Sequence, residues 1–157
     1  MRVSRLSLVA PLVLAALVSA CSSGADGPSG TASEIAEKVF VEAGVEPFGP
    51  TVSITTDQEI EFFLGSTNYP EFTDTAVAQP MISIDPRILY VLQVATKDQA
   101  AETVTQLEAD IDPQRLVCVQ FSPDDVVISS RGSVVFLVID SDHAERDALA
   151  AAFEAVD

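Results

Sequence analysis

Val126-Val127-Ile128-Ser129, Ser130-Arg131-Gly132-Ser133 and Val134-Val135-Phe136-Leu137-Val138-Ile139 follow one another without interruption. β-Branched residues fill both flanks, and a glycine stands in the break, where a positive φ is easily met. That is the signature of two strands joined as a hairpin. Working outward, Ile88 to Val94 is a second strongly apolar run, and Met81 to Ile84 reads as a strand before the turn-like Asp85-Pro86-Arg87. Leu116 to Phe121, after Asp112-Pro113, reads as a further strand.

Helix starts are written in the caps. Thr31, Thr56, Thr96 and Asp142 each stand three residues before Glu34, Glu59, Gln99 and Glu145. In that spacing the cap oxygen takes an orphan amide at the third helical residue, and a threonine cap with Glu or Gln can close a capping box. Helices are expected over 32–43, 57–64, 97–110 and 142–155. The first groups Ile35, Val39 and Phe40 on one face, and the last groups Leu149, Ala152 and Phe153. Such faces suit packing on a sheet. The expected fold is α+β, an antiparallel or mixed sheet of about five strands with helices packed on one face. Residues 65–79 show no periodicity and read as a loop. Its Tyr69 and Phe72 are candidate partner contacts, a long loop with exposed aromatics being suited to binding. The alternative is that they fold back over a sheet edge or a core end.

At the other end of the chain, Arg2 and Arg5 precede the apolar segment Leu6 to Ala20, which closes on Val18-Ser19-Ala20-Cys21. The run is shorter than the roughly 20 apolar residues of a membrane span and is interrupted by Pro11. It reads as a lipoprotein signal peptide over 1–20, cut between Ala20 and Cys21, with the Cys21 thiol carrying a diacylglycerol. Two acyl chains anchor stably without help from a protein surface. Residues 21–30 then form the lipidated cysteine and a Gly/Ser-rich tether with a reach of roughly 15–18 Å as a coil. Residues 31–157 form a single extracytoplasmic domain.

The 157 residues carry 8 Lys/Arg against 24 Asp/Glu, a net charge of −16. Losing Arg2 and Arg5 with the leader brings it to −18. This argues against nucleic acid, whose binding needs a basic patch, and against docking on anionic lipid. Cys21 is committed to lipid, so Cys118 is left as an unpaired thiol in the apolar run Leu116-Val117-Cys118-Val119, where it reads as a small core residue. The one histidine, His143, leaves a single conceivable thiol–imidazole pair, and an acidic protein is a poor setting for a thiolate. Asp110, Asp112, Asp124, Asp125, Asp140 and Asp142 fall near expected strand ends, but Asp140-Ser141-Asp142 lacks the acid and glycine of a calcium loop. No Gly-x-Ser-x-Gly and no phosphate-cradling glycine loop is present. No catalytic residue, metal ligand or cofactor is assigned.

Pro80-Met81-Ile82-Ser83, Asp112-Pro113 followed by Leu116-Val117-Cys118-Val119, Gly132 to Val138 and the late Phe153 together resemble a bacterial lipoprotein family of unknown function, domain-of-unknown-function family 4358. The helix over 32–43 after the tether also fits it. The family pattern has an aromatic near Leu116, which this chain lacks. The resemblance implies a fold and an address, since members typically carry the same leader and lipid cysteine, and it implies no activity. The resulting expectation is a domain on the extracytoplasmic face of the bacterial cell membrane, held through lipid on Cys21, that binds an envelope protein or small ligand as a receptor or accessory. The alternative is an envelope hydrolase or transferase using carboxylate chemistry.

Overall fold

The computed structural model describes residues 27–81, 84–111 and 121–157. In chain order these form α1 (Ala32–Ala43), β1 (Thr51–Val52), α2 (Asp57–Leu64), β2 (Phe72–Ala78), β3 (Ile88–Val94), α3 (Lys97–Asp110), a 3-10 turn at Pro123–Asp125, β4 (Val126–Arg131), β5 (Val134–Ile139) and α4 (His143–Ala155). The strands make one sheet in the order β1-β2-β3-β5-β4, antiparallel at every pairing. The α+β class and the antiparallel five-stranded sheet agree with the sequence reading.

The hairpin that decides the fold is tighter than the sequence suggests. Arg131 pairs with Val134, which leaves only Gly132 and Ser133 in the turn. Gly132 has φ 58° and no non-glycine residue among those described has a positive φ, the pattern of a type II′ turn. Arg131 then leaves the strand end to donate from Nη1 to the carbonyls of Phe153 and Val156, both at 2.7 Å. A cation on the last carbonyls of α4 satisfies acceptors the helix cannot reach itself and opposes its dipole.

The helices cover both faces of the sheet, not one. Leu89 and Val91 of β3 and Val134, Phe136 and Val138 of β5 pack under α1 and α4. The residues between them, Ile88, Tyr90, Leu92 and Val94 with Val135, Leu137 and Ile139, pack under α2 and α3. The reason lies in the strands themselves. β3 is apolar except at Gln93 and β5 is apolar throughout, so either face left open would put a row of large side chains in water. Burying one such side chain contributes about 1.5–3 kcal/mol. Phe136 stacks on Phe153 of α4 with centroids 4.8 Å apart, and Phe40 meets Phe48 edge-on at 5.2 Å. On the other face Tyr90 is wholly buried and its hydroxyl donates to the Phe63 carbonyl at 3.2 Å. Burial pushes that phenol far above its ordinary pKa.

Two strand readings change, and a third falls almost wholly outside the described residues. Phe72 to Ala78, inside the expected loop, is β2, set between β1 and β3. Its polar first half and the small Ala76 and Ala78 under α1 hide it from a pattern search, because alanine has little strand preference of its own. Met81 and Ile84 belong to no strand; both are exposed, while 82–83 are outside the described residues. The strand expected over Leu116–Phe121 also falls outside them, except for Phe121, which lies outside any strand and is buried. The helices fall where their caps put them, with Asp142 as the cap of α4.

The folded body includes residues before Thr31. Pro28 is buried, the carbonyl of Ser29 accepts from Lys38 Nζ at 3.0 Å and that of Gly30 accepts from Gln93 Nε2 at 2.8 Å. The last residues of the expected tether are therefore laid on the fold, beside the β4–β5 turn and the end of β3.

Candidate functional site

The region of Tyr69 and Phe72 is a built groove. α2 starts at Thr56, whose hydroxyl accepts from the Glu59 amide at 3.2 Å while Glu59 Oε2 accepts from the Thr56 amide at 3.0 Å. The Thr55 amide, 2.9 Å from the same Oε2, and then the Thr56 amide hold the Glu59 carboxyl below its usual range. Before the cap, Ile54 is tied to β2 through one hydroxyl. Its amide donates to Thr75 Oγ1 at 2.9 Å, and that hydroxyl donates back to the Ile54 carbonyl at 2.7 Å. Thus β1 leaves the sheet edge after two pairs, and α2 is held away from the first half of β2.

The space between is a cavity of about 490 Å³. Ile54, Ile60, Tyr69 and Phe72 supply its apolar lining, while Thr55, Asp57, Thr67, Glu71 and Thr73 supply polar groups. No Lys, Arg or His is among the residues that line it. Asp74 forms part of the wall but is already engaged, with Oδ2 accepting from the Ala32 amide at 2.8 Å and Oδ1 from the Thr75 amide at 2.9 Å. It joins the start of α1 to β2.

Tyr69 and Phe72 are half-buried rather than freely displayed, and pack against the α2–α3 side of the core. Their rings lie 5.8 Å apart, tilted by 33°. The Tyr69 hydroxyl donates to the Leu64 carbonyl at 2.9 Å and lies 3.4 Å from Asp110 Oδ2, so this side chain closes the end of α2 onto α3. Both rings also line the groove, so each has one side packed on the core and another on the groove.

The aspartates near strand ends do separate jobs. Asp125 closes the capping box that Ser122 heads on the 3-10 turn, accepting from the Ser122 amide at 2.7 Å, and its other oxygen meets His143 Nε2 at 2.9 Å. The imidazole contact, then the Ser122 amide, holds its carboxyl below the ordinary value. Asp142 caps α4. Asp110 accepts from Gln106 Nε2 at 2.8 Å. Arg87 grips Asp85 with Nε at 3.0 Å from Oδ1 and Nη2 at 2.7 Å from Oδ2, and its guanidinium lies 5.0 Å from the centre of the Phe48 ring. The Arg87 hydrogen bond holds Asp85 low. Asp140 behaves differently, because burial pushes its carboxyl up. Among the described residues no three His, Cys, Asp or Glu side chains converge on a point where a metal ion would sit.

Ala20, Cys21, Asp112 and Cys118 lie outside the described residues. What the sequence reading missed is the polar side of the groove: Asp57, Glu71 and Thr73 come together only because β2 is a strand and α2 stands off it. The one local signal was the capping box at Thr56, which announces where α2 begins. No family model matches the chain, and no curated protein and no solved structure matches it either.

Proposed function

We propose that this chain is a lipid-anchored extracytoplasmic binding or accessory domain of the bacterial envelope, held to the membrane through Cys21, and that its ligand or partner engages the groove beside Tyr69 and Phe72. The observation that carries the binding half is the groove itself. It is open, of a size suited to a small ligand or a peptide side chain, and sets a small apolar surface from Ile60, Tyr69 and Phe72 within a larger polar lining. The anchoring half rests on the leader ending in Cys21 and on the resemblance to a lipoprotein family. The carboxylate-enzyme alternative would require a raised carboxyl facing a second one across an open cleft. Asp140, the described carboxyl that burial raises, is closed from solvent beneath the start of α4.

Two measurements on the full chain in a bacterial host test the halves separately. Intact-mass spectrometry of membrane-extracted protein should find acyl mass on the wild type and none on Cys21→Ala; a wild-type species without acyl mass refutes the anchor. Crosslinking in cells, comparing wild type with Thr67→Arg/Thr73→Arg at the exposed rim, should find partners or ligand lost with the melting temperature held. Unchanged capture by the blocked groove refutes the groove as the binding site.

A further inference from the structure

We infer that the groove takes an organic cation, an ammonium or guanidinium group carried on a short apolar stem. This rests on the reading that the groove is where the domain binds, and it adds the chemistry of what is bound.

The lining is one-sided in charge. Asp57 and Glu71 are exposed at its rim, and neither forms an ion pair with a basic side chain among the described residues. The third carboxylate, Asp74, already accepts a backbone amide at each oxygen, so the carboxylates with oxygens left for a ligand are the other two. With no basic side chain in the lining, an anionic ligand would meet only repulsion there. A divalent metal would need several oxygens at one point, and no such convergence exists among the described residues.

The inner lining completes the match. Tyr69 and Phe72 lie side by side, with Ile54 and Ile60 beside them. A methylene stem gains from these apolar surfaces, and a cation attached to it gains from the negative face of an aromatic ring as well as from a carboxylate. The hydroxyls of Thr55, Thr67 and Thr73 supply acceptors for the remaining N–H groups of an ammonium or guanidinium. A cavity of about 490 Å³ admits a lysine or arginine side chain with its flanking peptide, or a linear polyamine. The net charge of −16 raises the local concentration of such ligands and makes binding depend on salt.

The test is calorimetric titration of the full chain in non-ionic detergent at low and at physiological ionic strength. The probes are a capped Gly-Lys-Gly peptide, its norleucine counterpart with the ammonium removed, and spermidine. The expected result is saturable binding of at least one amine, with the norleucine peptide weaker by about tenfold or more, the factor that 1.4 kcal/mol represents. Asp57→Asn/Glu71→Gln should weaken the amine about tenfold. Glu37→Gln/Glu42→Gln, the same charge change on the exposed side of α1, should weaken it less than about twofold. Preference for the lysine peptide identifies a basic protein side chain as the ligand, and preference for spermidine identifies a free polyamine. Equal loss in both double variants overturns the site, because attraction would then belong to the whole surface. Equal binding of the norleucine peptide overturns the cation while leaving the groove as a binding site. No saturable binding by either amine overturns the inference outright. None of these outcomes depends on the rim-blocked capture experiment, so failure of the cation and failure of the groove read differently.

Discussion

Asp140 follows directly on β5 and is only 1% exposed. Its Oδ1 accepts from the Asp142 amide at 2.8 Å, while Oδ2 is buried without a hydrogen-bond partner. A carboxylate held this way is penalised, and desolvation raises its pKa, with Glu145 adding to the effect against the opposing pull of the Asp142 amide and Arg87. A carboxyl whose folded pKa lies above its unfolded value stabilises the fold fully below the unfolded value and loses that contribution as pH rises through the folded one. At neutral pH the charge therefore opposes folding. Asp140→Asn keeps the Oδ1 acceptor and removes the buried charge, and should raise stability at pH 7. The gain should vanish as pH falls through the carboxyl range. Thermal melts of both proteins from pH 7 to pH 3 measure this; a variant less stable at pH 7, or a gain that does not change with pH, refutes it. Asp125 runs the opposite way. His143 and the Ser122 amide depress its pKa, so its contribution is present above the ordinary carboxylate range and is lost as pH falls through the folded value. The local sequence around Asp125 and Asp140 announces neither sign, because each depends on which atoms close over the carboxyl.

At the scale of elements, the helices are local objects and the strands are not. Thr31, Thr56, Thr96 and Asp142 each accept an amide at the start of the helix they head, as their spacing to Glu or Gln predicts. The bonds form within four residues, so the sequence holds the whole cause. α2 is the element most dependent on its cap, since it has eight residues and Leu64 is its one fully buried side chain. Thr56→Ala removes an acceptor at an exposed site and should cost about 1 kcal/mol. Because α2 forms one wall of the groove, its amides should exchange faster in the variant while those of β3 and β5 keep their protection. Hydrogen exchange reads both, and equal acceleration in β5 would contradict a local role. β2 has no comparable local cause. Its partners Leu89 to Val94 lie up to some twenty residues along the chain, and Thr75 binds Ile54 from the other side. The same holds for the site: Tyr69 and Phe72 stand out in the sequence as aromatics in an aperiodic stretch, while Asp57 and Glu71 join them only across an element the stretch does not reveal.

At the scale of the molecule, two helical layers enclose one sheet, and the incoming chain is fastened to the rim of that assembly. Gly27 sits against the hairpin turn so closely that a β-carbon there would lie 2.3 Å from the Arg131 carbonyl oxygen. Backbone cannot yield to that as a flexible side chain would. Gly27→Ala should therefore displace the docked segment, lowering the melting temperature and exposing residues 27–30 to proteolysis, while the sheet core stays protected. Limited proteolysis with mass mapping checks this. Unchanged cleavage in the segment would mean that the hairpin accommodates the methyl group and that the docking is not tight.

By itself the sequence determined the α+β class, the four helices with their starts, the β4–β5 hairpin and the apolar β3, because caps, turns and periodicity act over a few residues. It also carried, unused, the reason for a third layer: a strand apolar at successive positions, as β5 is from Val134 to Ile139, needs cover on both faces. Tertiary structure alone decided that Phe72 to Ala78 is a strand, that Met81 and Ile84 are not in one, that α1 and α4 share one face while α2 and α3 take the other, and that Asp140 is buried while Asp57 and Glu71 frame a groove. Each of these depends on contacts between residues far apart in the chain. Their free energy arises only when the sheet is assembled, and no window of sequence contains both partners.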